Sequence, residues 1–329
     1  MKKIVIGFFA VLLLVACSQD KRLFQKARLE TSKGNYNEAV HLYSLLIKQN
    51  PRHYAALINR GILLERLPVK DAQEKQRNQE LAETDYLTAI SINPSVPETF
   101  NNLGALYIDM KRNLDAVYYF TDALNINPRY FTALVNRAIA NYNLGRSLAA
   151  LSDFNEAAKI RPDDPLLLLN RALVFYDMGQ YESAALDLEH LMAVDPDNAR
   201  AYLEHARVMI RMRYPANAYA DLEEAVTIQP SYALAYYYMA DLMFRKGEKD
   251  YALGLLVKSK ELASEYAPTY ELMGDMLAGD DPVSATANYM VAKKLDPAHS
   301  VRYDAKIRLM RSEQGRERVM ANRFFPKEK

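Results

Sequence analysis

The chain is poor in cysteine, in net charge and in long apolar runs, and each shortage removes a class of protein. Cys17 is the single cysteine in 329 residues, so no disulfide can form within the chain and packing alone has to carry the fold. Forty-two basic side chains face 41 acidic ones, a balance that calls for neither nucleic acid nor an anionic surface as partner. The longest apolar run, Ile4 to Ala16, is thirteen residues and too short to span a bilayer as a helix. No glycine-rich phosphate loop, Gly-x-Ser-x-Gly or His-Glu-x-x-His occurs, and the five histidines, at 41, 53, 190, 205 and 299, form no pair at metal-ligand spacing. The reading is of a protein that is not an enzyme and needs no cofactor or metal.

The N-terminus is a targeting segment. Lys2 and Lys3 precede the apolar run, which ends in Leu14, Val15, Ala16 and Cys17. This order resembles the lipobox of bacterial lipoproteins. The resemblance implies that residues 1–16 are a cleaved signal peptide, that Cys17 becomes the lipidated first residue, and that 17–19 form a linker to the membrane. Removal of Lys2 and Lys3 leaves 40 basic against 41 acidic residues, so acyl chains and not charge would hold the protein at the bilayer. Ser18, in place of the aspartate that marks inner-membrane retention in that family, implies the periplasmic face of an outer membrane.

Proline recurs at 94, 128, 162, 196 and 230, a constant interval of 34 residues. Aligned on these prolines, the eighth position of each unit is Ala27, Gly61, Gly104, Ala138, Ala172, Ala206, Ala240 or Gly274. The twentieth is alanine throughout, from Ala39 to Ala285. Small residues at two fixed places let two antiparallel helices cross closely, and Tyr43, Tyr86, Phe120, Phe154 and Tyr289, one turn beyond the alanine, fill the space beside them. Each proline ends a second helix, and Gly34, Gly145, Gly179 and Gly247 mark turns between the two helices.

This pattern resembles the tetratricopeptide repeat over 280 of the 329 residues. The resemblance implies an all-α, right-handed superhelical solenoid of eight repeats, at 20–53, 54–96, 97–130, 131–164, 165–198, 199–232, 233–266 and 267–299, with a capping helix and basic tail over 300–329. Departures from the pattern carry expectations of their own. The tryptophan frequent at the fourth position is missing, and Leu46 and Leu191 replace the small twenty-seventh residue and imply locally wider packing. Ser264 replaces the seventh proline, which implies a continuous or bent helix there. The second repeat is nine residues too long, and with Pro68 as a helix start the excess over 68–81 projects about 13 Å. Tyr303, Ile307 and Met310 at helical spacing read as one final helix over 300–322.

In such an array the first helices line a concave face. The sixth position there holds Asn59, Asn102, Asn136 and Asn170, a row resembling the asparagine ladder with which some solenoids hold an extended peptide backbone. Alternatively, these amides bond neighbouring helices. Tyr142, Tyr176 and Phe244, at the twelfth position, form an apolar strip beside the row or belong to the core. Further along, Glu204 and Tyr238 replace the asparagine, so the array offers a second kind of surface. Three functions fit: a scaffold for envelope proteins that bind as extended segments, a pilotin or assembly factor for a secretin or pilus, and a receptor for a solute or carbohydrate.

Overall fold

The computed structural model describes residues 19–313 and 315–317. Cys17, the signal segment and the end of the basic tail lie outside the described residues. Among the described residues the chain is helical, without a strand. It forms two compact units, divided between Leu167 and Leu168.

The first unit begins with α1, over 19–32, which packs Leu23 and Phe24 against Tyr43 and Leu46 of α2 (Tyr36–Gln49). Next come α3 (Tyr54–Arg66) with α4 (Ala72–Ile92), α5 (Pro97–Asp109) with α6 (Asn113–Ile126), and α7 (Phe131–Asn143) with α8 (Ser147–Ala158). The division falls inside α9 (Pro165–Asp177). The second unit continues through α10 (Tyr181–Val194), α11 (Ala199–Arg211) with α12 (Pro215–Ile228), and α13 (Ala233–Lys246) with α14 (Lys249–Leu262). It closes on α15 (Ala267–Leu277) with α16 (Pro282–Leu295), and on α17 (Ser300–Leu309).

Close helix crossing explains the small residues. A Cβ added to Gly104 would lie 2.6 Å from a ring carbon of Phe120, and one on Gly274 would lie 2.5 Å from the Tyr289 ring. Both rings are fully buried, as are the alanines from Ala39 to Ala285 at the twentieth position. Leu46 and Leu191 are fully buried as well. In six repeats the turn between paired helices has one residue in the left-handed region. Gly34, Gly145, Gly179 and Gly247 supply it, while Lys111 and Arg213 adopt it at φ 59° and 66° in the third and sixth repeats.

Three sequence expectations are corrected. The chain does not run on as helix past Ser264: α14 ends at Leu262, Ala263 leaves the helical region at φ −143° and ψ 77°, and Pro268 stands at the second position of the next helix, α15. The long helix of the second repeat starts at Ala72 and not at Pro68, because the Asp71 side chain accepts the Glu74 N–H and caps it there. With 21 residues α4 is seven longer than α6, about 10 Å of helix, and Lys75 and Gln79 on the added turns bond Asp109 of α5. The last helix ends at Leu309, and a turn at 310–312 precedes a further helical stretch. Gly315 permits that turn, since a Cβ there would lie 2.4 Å from the Leu309 carbonyl oxygen.

α17 closes the array by packing and by charge. Tyr303 and Met310 are buried, and Met310 and Ile307 pack with Tyr289. Glu271, on α15, bonds Arg302 and Lys306, the latter at 2.7 Å, and Lys306 also reaches Asp275 at 2.5 Å. Burial alone would raise the Glu271 carboxyl, but Arg302 and Lys306 outweigh it and hold the group below its ordinary value. The acidic surface that this basic helix meets is therefore the array's own.

Candidate partner-binding surface

The first helices carry the candidate residues, and their environments differ. Asn59 donates its amide to the Ala55 carbonyl oxygen of its own helix at 2.6 Å. Asn136 donates to Asn101 Oδ1 of the preceding repeat at 3.2 Å, so this amide ties two repeats together. Asn102 and Asn170 are half-buried. The Asn102 side chain makes no hydrogen bond to any described residue, which leaves its amide donor and acceptor for a partner's backbone. The sequence expectation of four equivalent amides thus narrows, in the first unit, to one whose amide is uncommitted.

Tyr142 and Tyr176 are half-buried. Phe244 is 1% exposed and is core, a correction to its assignment beside the groove. It lies inward because its helix, α13, also buries Ala240 and Asp241 on the same side.

In the second unit an aromatic wall replaces the amides. The Arg207 guanidinium stands 4.9 Å above the Tyr176 ring and is ion-paired to Glu204. Tyr181 meets the Tyr176 ring edge-on, with Arg211 over its own face at 5.3 Å. Tyr237 touches both Tyr238 and Tyr266, with ring centres 5.3 and 5.4 Å away. Burial raises the Tyr238 phenol, and it lifts that of Tyr266 to about 12. Burial also opposes the Arg207 charge, but Glu204, Tyr238 and Tyr176 outweigh it and hold the guanidinium protonated. The wall sets aromatic rings beside two guanidinium groups, Arg207 and Arg211, a surface with rigid apolar area and hydrogen-bond donors. The sequence signals Glu204 and Tyr238 through the broken asparagine row, and Tyr266 through tyrosine at the same repeat position in Tyr130 and Tyr232.

A second set of polar residues is structural. Arg60 and Asp85 form two hydrogen bonds of 2.8 and 2.7 Å, and Arg137 with Asp153 and Arg171 with Asp187 repeat the geometry. Each joins the seventh residue of a first helix to the twenty-third position on its partner. Arg60 also bonds Ser44, and Arg137 bonds Thr121, on the second helix of the repeat before. In the sixth repeat His205 takes the arginine's place, with Nδ1 2.8 Å from Asp221.

Comparison with known proteins agrees with this architecture. The tetratricopeptide repeat family model matches residues 24–97 and 169–233. A model of the Est1 DNA/RNA binding domain matches 82–136, a stretch with three basic and six acidic side chains, which is the wrong balance for phosphate contacts. No curated protein matches. A tetratricopeptide repeat protein from Parabacteroides merdae ATCC 43184 is 21% identical, with 78% of this chain and 98% of that one covered and a TM-score of 0.61. Pseudomonas aeruginosa pilF is 16% identical over 65% of this chain and 94% of its own, with a TM-score of 0.54. At these identities the likeness is one of fold. Repeat matches and helix pairing together give the described residues an all-α tetratricopeptide-repeat fold.

Proposed function

We propose that this protein is a lipid-anchored adaptor of the bacterial cell envelope, held on the periplasmic face of an outer membrane through Cys17, that captures extended segments of partner proteins without catalysis. The lipobox order around Cys17 supports the anchor. Cys17→Ser is expected to abolish incorporation of labelled palmitate and leave an uncleaved precursor. Labelling that persists in the variant removes the anchor from the account.

One observation carries the capture: a half-buried side-chain amide with no hydrogen bond among the described residues, Asn102, on a row whose other amides include two already committed within the fold. A peptide backbone laid along that row pairs with Asn102, and loss of such a bond is worth about 1 to 3 kcal/mol, or roughly tenfold in affinity. Asn102→Ala is therefore expected to weaken cross-linked capture of partners from native membranes about tenfold with an unchanged melting temperature. Asn136→Ala, which breaks the bond to Asn101, is expected to lower the melting temperature instead. Undiminished capture by Asn102→Ala contradicts the proposal.

A further inference from the structure

Between them α12 and α13 flank an open chamber of about 630 Å³, within the roughly 300 to 1,000 Å³ typical of small-molecule sites. Pro215, Ala216 and Tyr219 line one side, and Leu242 and Met243 the other. The Tyr219 hydroxyl lies 3.1 Å from that of Tyr251, so the polar end of this ring is already engaged. Such walls offer few groups to pair with the amides of a peptide, whose burial there would leave them unsatisfied. They do suit an alkyl chain, which has no polar group to satisfy.

The rim carries two cations, each ion-paired to a carboxylate, Arg245 to Asp241 and Lys246 to Glu248. Arg245 and Lys246, in the last turn of α13, complete the lining. Asp241 accepts the Arg245 Nε–H at 2.8 Å, which orients the guanidinium and uses one of its five N–H donors. Lys246 stands 3.7 Å from Glu248, and both side chains are more than half exposed, so water screens this loose pair and an incoming anion can displace it. An apolar chamber with two cations at its mouth is complementary to a chain that ends in negative charge.

We propose that the second unit binds an anionic amphiphile at this place, with a medium-length alkyl chain between Met243 and Tyr219 and a carboxylate or phosphate head on Arg245 and Lys246. The site's lining shares no residue with the asparagine row or the aromatic wall, and its test does not depend on the partner-binding reading. Isothermal titration of the full chain without its signal segment is carried out with decanoate, decyl phosphate and 1-decanol. At least one anion is expected to bind saturably at one site, ten times or more tighter than the alcohol. The better anion tells a fatty-acid source from a lipid phosphate. The double variant Arg245→Gln, Lys246→Gln is expected to lose tenfold or more. Ala216→Trp, at an exposed position in the first turn of α12, should fill the chamber and abolish binding while the circular dichroism spectrum is kept. Met243→Trp fills it from the opposite wall if that variant does not fold. The proposal is overturned if neither anion binds saturably, if the alcohol binds as well as both anions, or if binding survives both the charge and the filling variants.

Discussion

Asp85→Ala is expected to destabilise the second repeat by about 3 to 5 kcal/mol, because it leaves the Arg60 guanidinium unpaired between helices. The pair itself contributes far less than this. Asp85 is 1% exposed, and burial pushes its carboxyl up even with Arg60 bonded to both oxygens, so desolvation outweighs the attraction. Other repeats reach the same packing without charge: the corresponding positions are Leu103 with Tyr119, and Met239 with Leu255. Replacing both partners, Arg60→Leu with Asp85→Leu, is accordingly expected to stay within about 1 kcal/mol of the parent. Amide exchange resolved on α3 and α4 measures this, since a repeat array opens locally and one global unfolding energy is poorly defined for it. Equal losses from the single and double changes would mean that the pair itself holds the repeat.

Gly104→Val should cost about 3 kcal/mol, the upper end of the overpacking range, because its side chain must occupy the space of the buried Phe120 ring. Gly104→Ala is expected to be nearly neutral. The helix gains about 1 kcal/mol from alanine, and the fourth repeat already places Ala138 opposite the fully buried Phe154. The clash is a property of the pair, so Phe120→Leu added to Gly104→Val should restore more than half of the loss. The fifth, sixth and seventh repeats use a small residue opposite Leu188, Leu222 and Leu256 in the same way. Thermal unfolding followed by circular dichroism reads all three variants. Additive losses would show that Phe120 is not what the valine meets.

Helix pairing is legible in the sequence because it depends on residues at constant spacing, where a small side chain and a bulky one must alternate for any two backbones to approach. The charged clamps were open to the same reading and escaped it. Asp85, Asp153, Asp187 and Asp221 recur at one position with Arg60, Arg137, Arg171 and His205 at another, yet charge alone reads as a solvated face. Burial of Asp85, Asp153 and Asp187 beneath half-buried arginines appears only once the helices are paired. Phe244 eluded the sequence for the opposite reason: half-buried Tyr142 and Tyr176 share its repeat position, and only packing within α13's own repeat pair separates core from surface. The aromatic wall draws on α9, α10, α11 and α13 and on the residue before α15, and no local spacing reports such a meeting. The start of α4 is ambiguous in sequence because proline and a capping aspartate three residues later both open helices, and the bond that Asp71 accepts from the Glu74 N–H decides between them.

The central claim is that partners lie along the first helices. A photo-cross-linking residue at Ile108, half-buried on α5 with Asn102, tests it against one at Leu148, which is 76% exposed on the second helix α8. The account predicts a discrete adduct from Ile108 in native membranes, lost when Asn102→Ala is added, and none from Leu148. Adducts from Leu148 alone, or an Ile108 adduct indifferent to Asn102, would contradict it.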